Sequence, residues 1–131
     1  MNIAKLKYED NHLIINNFVY HQKDIYYNTS FDLKIRSGSF SGVAPCEYDI
    51  KEFRRFVREL LEMYNFNKQI VMLNDIRYGS NVKFEADKTG HINVSGEIFG
   101  KAMAHSLKFS FTTDQFVLKQ FISELENIID I

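Results

Sequence analysis

The stretch Gly90–Gln115, GHINVSGEIFGKAMAHSLKFSFTTDQ, decides the fold. In its first half Ile92, Val94 and Ile98 share one phase while His91, Asn93, Ser95 and Glu97 share the other, the period-two pattern of a strand with one buried face. In its second half Leu107, Phe109 and Phe111 alternate with Lys108, Ser110 and Thr112. The short segment Phe99 to Ala104 between them predicts an antiparallel hairpin with one apolar and one wet face. Gly96 falls on the apolar phase, where a missing side chain marks a bulge or the close approach of a neighbour. A helix packed across this face is the simplest such neighbour.

Working outward, Gln69 to Asn74 and Ser80 to Ala86 read as strands, and Asp87 to Gly90 as the turn into the hairpin. After the hairpin, Thr112 or Thr113 is placed to cap a final helix that buries Phe116, Val117, Phe121, Ile122, Leu125, Ile128 and Ile129. Further upstream, Asp49 with Glu52 makes a capping box. Ile50, Phe53, Phe56, Val57, Leu60, Leu61 and Tyr64 follow it at helical spacing until Asn65 to Asn67 end the helix. Ahead of that helix, Phe31, Leu33 and Ile35 alternate with Asp32, Lys34 and Arg36, Gly38-Ser39 can turn the chain, and Phe40, Ala44, Cys46 and Tyr48 lie on the returning strand. The small-residue run Ser37 to Gly42 is read as a turn and not a phosphate cradle, because no lysine follows at P-loop spacing and no helix begins there. Ile3 to Tyr8 and Leu13 to Tyr20 form two more strands around an Asp10-Asn11 turn, with imperfect alternation. His21 to Ser30 is the longest non-periodic segment and the first place to seek a binding surface.

The order ββββαββββα, with short turns between strands, implies an α+β domain: an antiparallel sheet of about eight strands covered by two amphipathic helices, residues 1–131 forming a single domain. The two strand blocks, each closed by a helix, resemble a weak internal duplication.

Composition narrows the function. With 45% hydrophobic and 15% aromatic residues, the 131-residue chain is globular and not disordered. Sixteen basic and 17 acidic side chains leave a net charge of −1, so no overall field points to nucleic acid or a membrane surface. Cys46 is the only cysteine and cannot form an internal disulfide, which favours a reducing compartment. MNIAKLKYED lacks an apolar core of secretory length, and no run approaches the ~18 apolar residues of a membrane span. The expectation is a soluble cytoplasmic protein.

A search for catalytic constellations finds little. His12, His21, His91 and His105 show no paired metal spacing, and one cysteine cannot build a zinc site, so no metal or cofactor is expected. Cys46 shares a phase with Ala44 and Tyr48 and reads as a buried small hydrophobe. Glu85 and Glu97 lie on adjacent strands of one polar face and could pair for acid/base work, but Lys83 and Lys108 nearby favour a solvated mixed-charge ladder. His105 enters the apolar phase of its strand. Lys51, Arg54, Arg55 and Arg58 recur at helical spacing away from the buried stripe, ahead of Glu59 and Glu62. That order opposes the helix dipole by a few tenths of a kcal/mol per charge, roughly. Arg55–Glu59 and Arg58–Glu62 pairs would neutralise the face in part; recognition of an acidic partner or phosphate is the alternative.

Leu33 and Ile35 followed by Gly38, Phe40 and Gly42, the Phe53, Phe56 and Leu60 helix, Gly90-His91-Ile92 with Val94 and Gly96, and Leu107, Phe109, Phe111 and Thr113-Asp114-Gln115 together resemble the WapI-type immunity proteins of bacterial polymorphic toxin systems. The likeness covers Phe31 to the end. Its most specific pieces are G-H-x-x-V-x-G and F-x-F-x-T-D-Q. Phe31 stands where a tryptophan is expected, and the first thirty residues match only in general character. The resemblance implies a non-catalytic cytoplasmic protein that binds and neutralises the C-terminal toxin domain of a large secreted or wall-associated toxin, as a monomer or weak homodimer. Its motif residues are core and turn positions, so contact candidates come from this chain alone: Tyr26, Tyr27 and Asn28 in the loop, Arg54, Arg55 and Arg58 on the helix, and His91 and Glu97 on the wet face. A small-molecule-binding or self-associating module is the alternative reading.

Overall fold

A computed structural model describes residues 3–21 and 28–130. The element order is β1 (Ala4–Tyr8), β2 (Asn11–Tyr20), β3 (Thr29–Ser37), β4 (Phe40–Tyr48), α1 (Ile50–Tyr64), β5 (Ile70–Asn74), β6 (Asn81–Ala86), β7 (His91–Phe99), β8 (Ser106–Asp114) and α2 (Gln115–Ile129), with a 3-10 turn at Lys101–Met103. The α+β class and the order ββββαββββα are those expected. The strands, however, form two four-stranded antiparallel meanders, β1-β2-β3-β4 and β5-β6-β7-β8, and not one continuous sheet.

The break between β4 and β5 has a local cause. Pro45 sits in β4, paired with Asp32 of β3, and has no N–H to offer a further strand on its outer side. Among the described residues the two edges are hydrogen-bonded at one end. There Ile76 N–H donates to the Glu47 carbonyl at 3.2 Å, Asn74 N–H donates to the Tyr48 hydroxyl at 2.9 Å, and Glu47 N–H donates to Asp75 Oδ1 at 2.8 Å. The helices cross over: α1 follows the first sheet but packs on β5 of the second, while α2 follows the second and packs on β1 of the first. Gln115 Nε2 donates to the Tyr64 carbonyl at 3.2 Å, joining the end of α1 to the start of α2.

Each sheet buries one face, and these faces with both helix stripes form one hydrophobic cluster. Phe53 lies at its centre, fully buried, with ring centroids of Phe18, Phe31, Tyr48 and Phe56 at 5.0, 5.4, 5.8 and 5.7 Å. Edge-on and tilted pairs of this kind add to simple area burial. Gly42 lets the far ends of the sheets close: a Cβ there would stand 3.3 Å from Ile98 Cδ1.

Several details differ from the sequence reading. The uneven alternation of β2 is a bulge: register shifts between Asn16 and Val19, Asn17 is left-handed (φ 55°), and Phe18 is thereby returned to the buried phase of Leu13 and Ile15. The first turn is Glu9-Asp10, with Glu9 left-handed and Asn11 already paired with Tyr8. The neighbour that requires Gly96 is not a helix. A Cβ there would overlap the carbonyl oxygen of Asn81 on β6. Thr113 is fully buried, and the cap of α2 is Asp114, the last residue of β8, whose Oδ1 accepts from Val117 N–H at 2.9 Å. Leu118 accordingly joins the buried stripe of α2, and Phe116, expected inside, is 73% exposed. In α1, Asp49 Oδ1 caps Lys51 N–H at 2.8 Å, but Glu52 turns to Arg55 instead of completing a box, and Met63 is buried where Leu61 and Tyr64 are half-buried.

Candidate partner-binding surface

The sequence candidates fall in separate places. Tyr26 and Tyr27 lie outside the described residues. Asn28 is buried, and its Oδ1 accepts from Ile50 N–H at 2.8 Å and from the Thr29 hydroxyl at 3.0 Å. Its side chain satisfies the first amide of α1, one of the four that a helix leaves without an internal partner. Arg54, Arg55 and Arg58 are exposed on α1. Arg55 stands between Glu52 and Glu59, 3.7 Å from each, and Lys68 Nζ reaches Glu59 from outside the helix at 2.8 Å. Among the described residues no ion pair joins Arg58 to Glu62.

His91 and Glu97 share the outer face of β7 but stand six residues apart, about 20 Å. The hydroxyl of Thr89 donates to Asp87 Oδ1 at 2.7 Å and lies 2.7 Å from His91 Nδ1, so its single proton is spent on the carboxylate and the imidazole Nδ1 is the donor to it. This bond from Thr89, with amide donors from Thr89 and His91, holds the Asp87 carboxyl below its ordinary pKa. The cluster is a braced turn. Glu97 pairs across strands with Asn81 and Lys108. Glu85, opposite Ile70 and Asn93, is four residues along β6 from Asn81 and holds Lys83 at 3.2 Å. The two glutamates are thus roughly 13 Å apart along the sheet and form no acid/base pair.

Burial pushes the Cys46 thiol well above its ordinary pKa, and Sγ donates to the Ala44 carbonyl at 3.7 Å. Burial, with Lys7, Arg36 and Lys34 nearby, lowers the pKa of His12. His105 is exposed in the tip of the central hairpin, just before β8, and its carbonyl accepts from Gly100 N–H at 2.8 Å to close that tip. No group of three His, Cys, Asp or Glu side chains is arranged to hold a metal among the described residues. No described helix is long and apolar enough to cross a membrane.

One depression has no counterpart in the sequence reading. It is a groove of about 460 Å³ between α1 and β5, floored by Tyr48 and Phe56 and walled by Glu52, Arg55 and Glu59 on one side and Met72 and Ile76 on the other. Among the described residues, Arg55 alone of the sequence candidates lines it. The signal was present in β5, where Ile70-Val71-Met72-Leu73 is apolar on both phases. Val71 and Leu73 enter the core, leaving Ile70 and Met72 exposed together with Ile76. Apolar side chains clustered at a groove rimmed by charge are the usual composition of a protein contact surface.

The model of the Immunity protein WapI-like family covers residues 7–131. No curated protein and no solved structure matches the chain.

Proposed function

Because the chain belongs to the WapI-like immunity protein family over nearly its whole length, we propose that it binds and neutralises the C-terminal toxin domain of a polymorphic, wall-associated toxin in the cytoplasm of the producing cell. The family match is the observation that carries this reading. Inhibition is by contact and requires no catalysis. The separated glutamates, the buried thiol and the structural roles of Asn28 and Asp87 are consistent with a scaffold built to present a surface. Within that surface Arg55 is the proposed anchor on α1, with Arg54 and Arg58 beside it, since arginine is favoured where an interface must bind a planar or anionic group. His91 and Glu97 are proposed as further contacts outside the groove, and Tyr26 and Tyr27 as further contacts.

The test is co-expression with the C-terminal domain encoded immediately upstream of this gene. The reading expects growth to be rescued and the two chains to co-elute in size-exclusion chromatography. Separate elution without rescue would overturn it.

A further inference from the structure

The four outer edges of the two sheets are protected unequally. On β1, Lys5 N–H donates to Glu124 Oε1 of α2 at 2.8 Å, and Lys5 and Lys7 are exposed. On β4, Pro45 lacks an N–H and Glu47 is tied to Asp75 and Ile76. On β8, the Ser110 carbonyl accepts from the Ser37 hydroxyl at 3.0 Å. Lysines, a proline and local covering are how proteins keep a strand edge from pairing with another chain.

β5 has none of these between Ile70 and Met72. Asp75 N–H donates to the Ser80 carbonyl and Ala86 N–H to the Gln69 carbonyl, which fixes Val71 and Leu73 as the residues bonding toward β6. Ile70, Met72 and Asn74 therefore turn their N–H and C=O groups away from the sheet. The Asn74 N–H is taken by Tyr48. Those of Ile70 and Met72 meet no partner among the described residues, and their side chains, 42% and 38% exposed, are apolar. The α1 groove runs beside this edge. Its carboxylates Asp49, Glu52 and Glu59 outnumber its one guanidinium, Arg55. Lys68 offsets Glu59, so the acidic surplus lies at the Asp49–Glu52 end.

We infer that β5 is a docking edge: an extended segment of the toxin domain adds to it as a fifth strand of the second sheet. This rests on the proposed function and specifies its interface. The segment bonds to the outward N–H and C=O of Ile70 and Met72 and seats apolar side chains in the groove over Phe56 and Met72. It places a lysine or arginine opposite Glu52. Main-chain bonds supply affinity in this mode and the alternating side chains supply specificity. Five residues of strand offer about 16 Å for this pairing.

The test is hydrogen exchange of the native protein with and without the upstream-encoded toxin domain, joined to affinity measurements on two variants. Met72→Pro removes an outward N–H and leaves the β5–β6 bonds in place, whereas Met72→Thr keeps the N–H. The inference expects the Ile70 and Met72 amides to become protected in the complex. It expects Met72→Pro to bind about 100-fold more weakly and Met72→Thr to stay within about tenfold of the native protein. A complex that forms with the Ile70 and Met72 amides still exchanging freely overturns the inference and leaves the immunity reading standing, as does Met72→Pro binding like the native protein. If Met72→Pro does not fold, exchange on the native protein decides. Absence of any complex overturns both readings.

Discussion

Asp75→Ala is the substitution whose cost follows most directly from the structure. Asp75 is 8% exposed, and its carboxylate accepts three backbone N–H bonds: Glu47 at 2.8 Å and Arg77 at 3.0 Å on Oδ1, and Tyr78 at 2.8 Å on Oδ2. One donor belongs to β4 and two to the loop after β5, so the side chain is the joint where the two sheets touch. A bond to a charged acceptor contributes about 1.5–3 kcal/mol. The three do not sum in full, because the exposed backbone around Arg77 recovers water when the carboxylate is lost, whereas the Glu47 amide has no ready substitute. A loss of about 3 kcal/mol is expected, or about 10 °C in Tm for a chain of this size. Asp75→Asn keeps an oxygen for Glu47 and Arg77 but turns an amide toward Tyr78, and should cost about half as much. Guanidinium unfolding followed by circular dichroism measures both. A loss under about 1 kcal/mol for Asp75→Ala, or equal losses for the two variants, would refute the reasoning.

Gly96→Ala drives a Cβ into the Asn81 carbonyl oxygen, which belongs to backbone and cannot step aside, so thermal unfolding should show a loss of about 2–3 kcal/mol or no soluble protein; an unchanged Tm contradicts this. Thr113→Val should stabilise by about 1 kcal/mol, since the Thr113 hydroxyl is fully buried with no partner among the described residues and its replacement by a methyl keeps the shape; destabilisation would show that the hydroxyl is satisfied. Burial raises the Tyr48 hydroxyl from 10.0 to about 12, so the folded state holds this proton more tightly than the unfolded state does. Its contribution is complete below pH 10 and lost between pH 10 and 12, about 2–3 kcal/mol. In a Cys46→Ala background, which removes the other raised acid, Tyr48→Phe should flatten the alkaline limb of the stability profile; an equally steep limb would contradict the assignment.

Strand alternation and helix stripes were legible because period two and period 3.6 each follow from burying one face, and those faces are buried here. The division into two sheets was not legible. It depends on Pro45 blocking an edge and on helices that cross to the opposite sheet, and neither leaves a periodic signal. The cap at Asp114 was hidden because Thr113 is an equally good capping residue, and only the burial of the Thr113 side chain in the folded protein leaves the cap to Asp114. Gly96 was recognised as a close approach, but its partner Asn81 is set by strand pairing and not by sequence proximity. At the candidate site, the arginines of α1 were visible from helical spacing. The groove beside them was not, because Met72 and Ile76 reach it from residues about twenty positions away.

The measurement that bears most directly on the account is calorimetric titration of the purified upstream-encoded toxin domain into this protein, with toxin activity assayed on the same mixture. A one-to-one complex of nanomolar affinity, of order −12 kcal/mol, is expected, with toxin activity abolished at equivalence. No heat of binding at about 10 μM, with toxin activity undiminished, would contradict it.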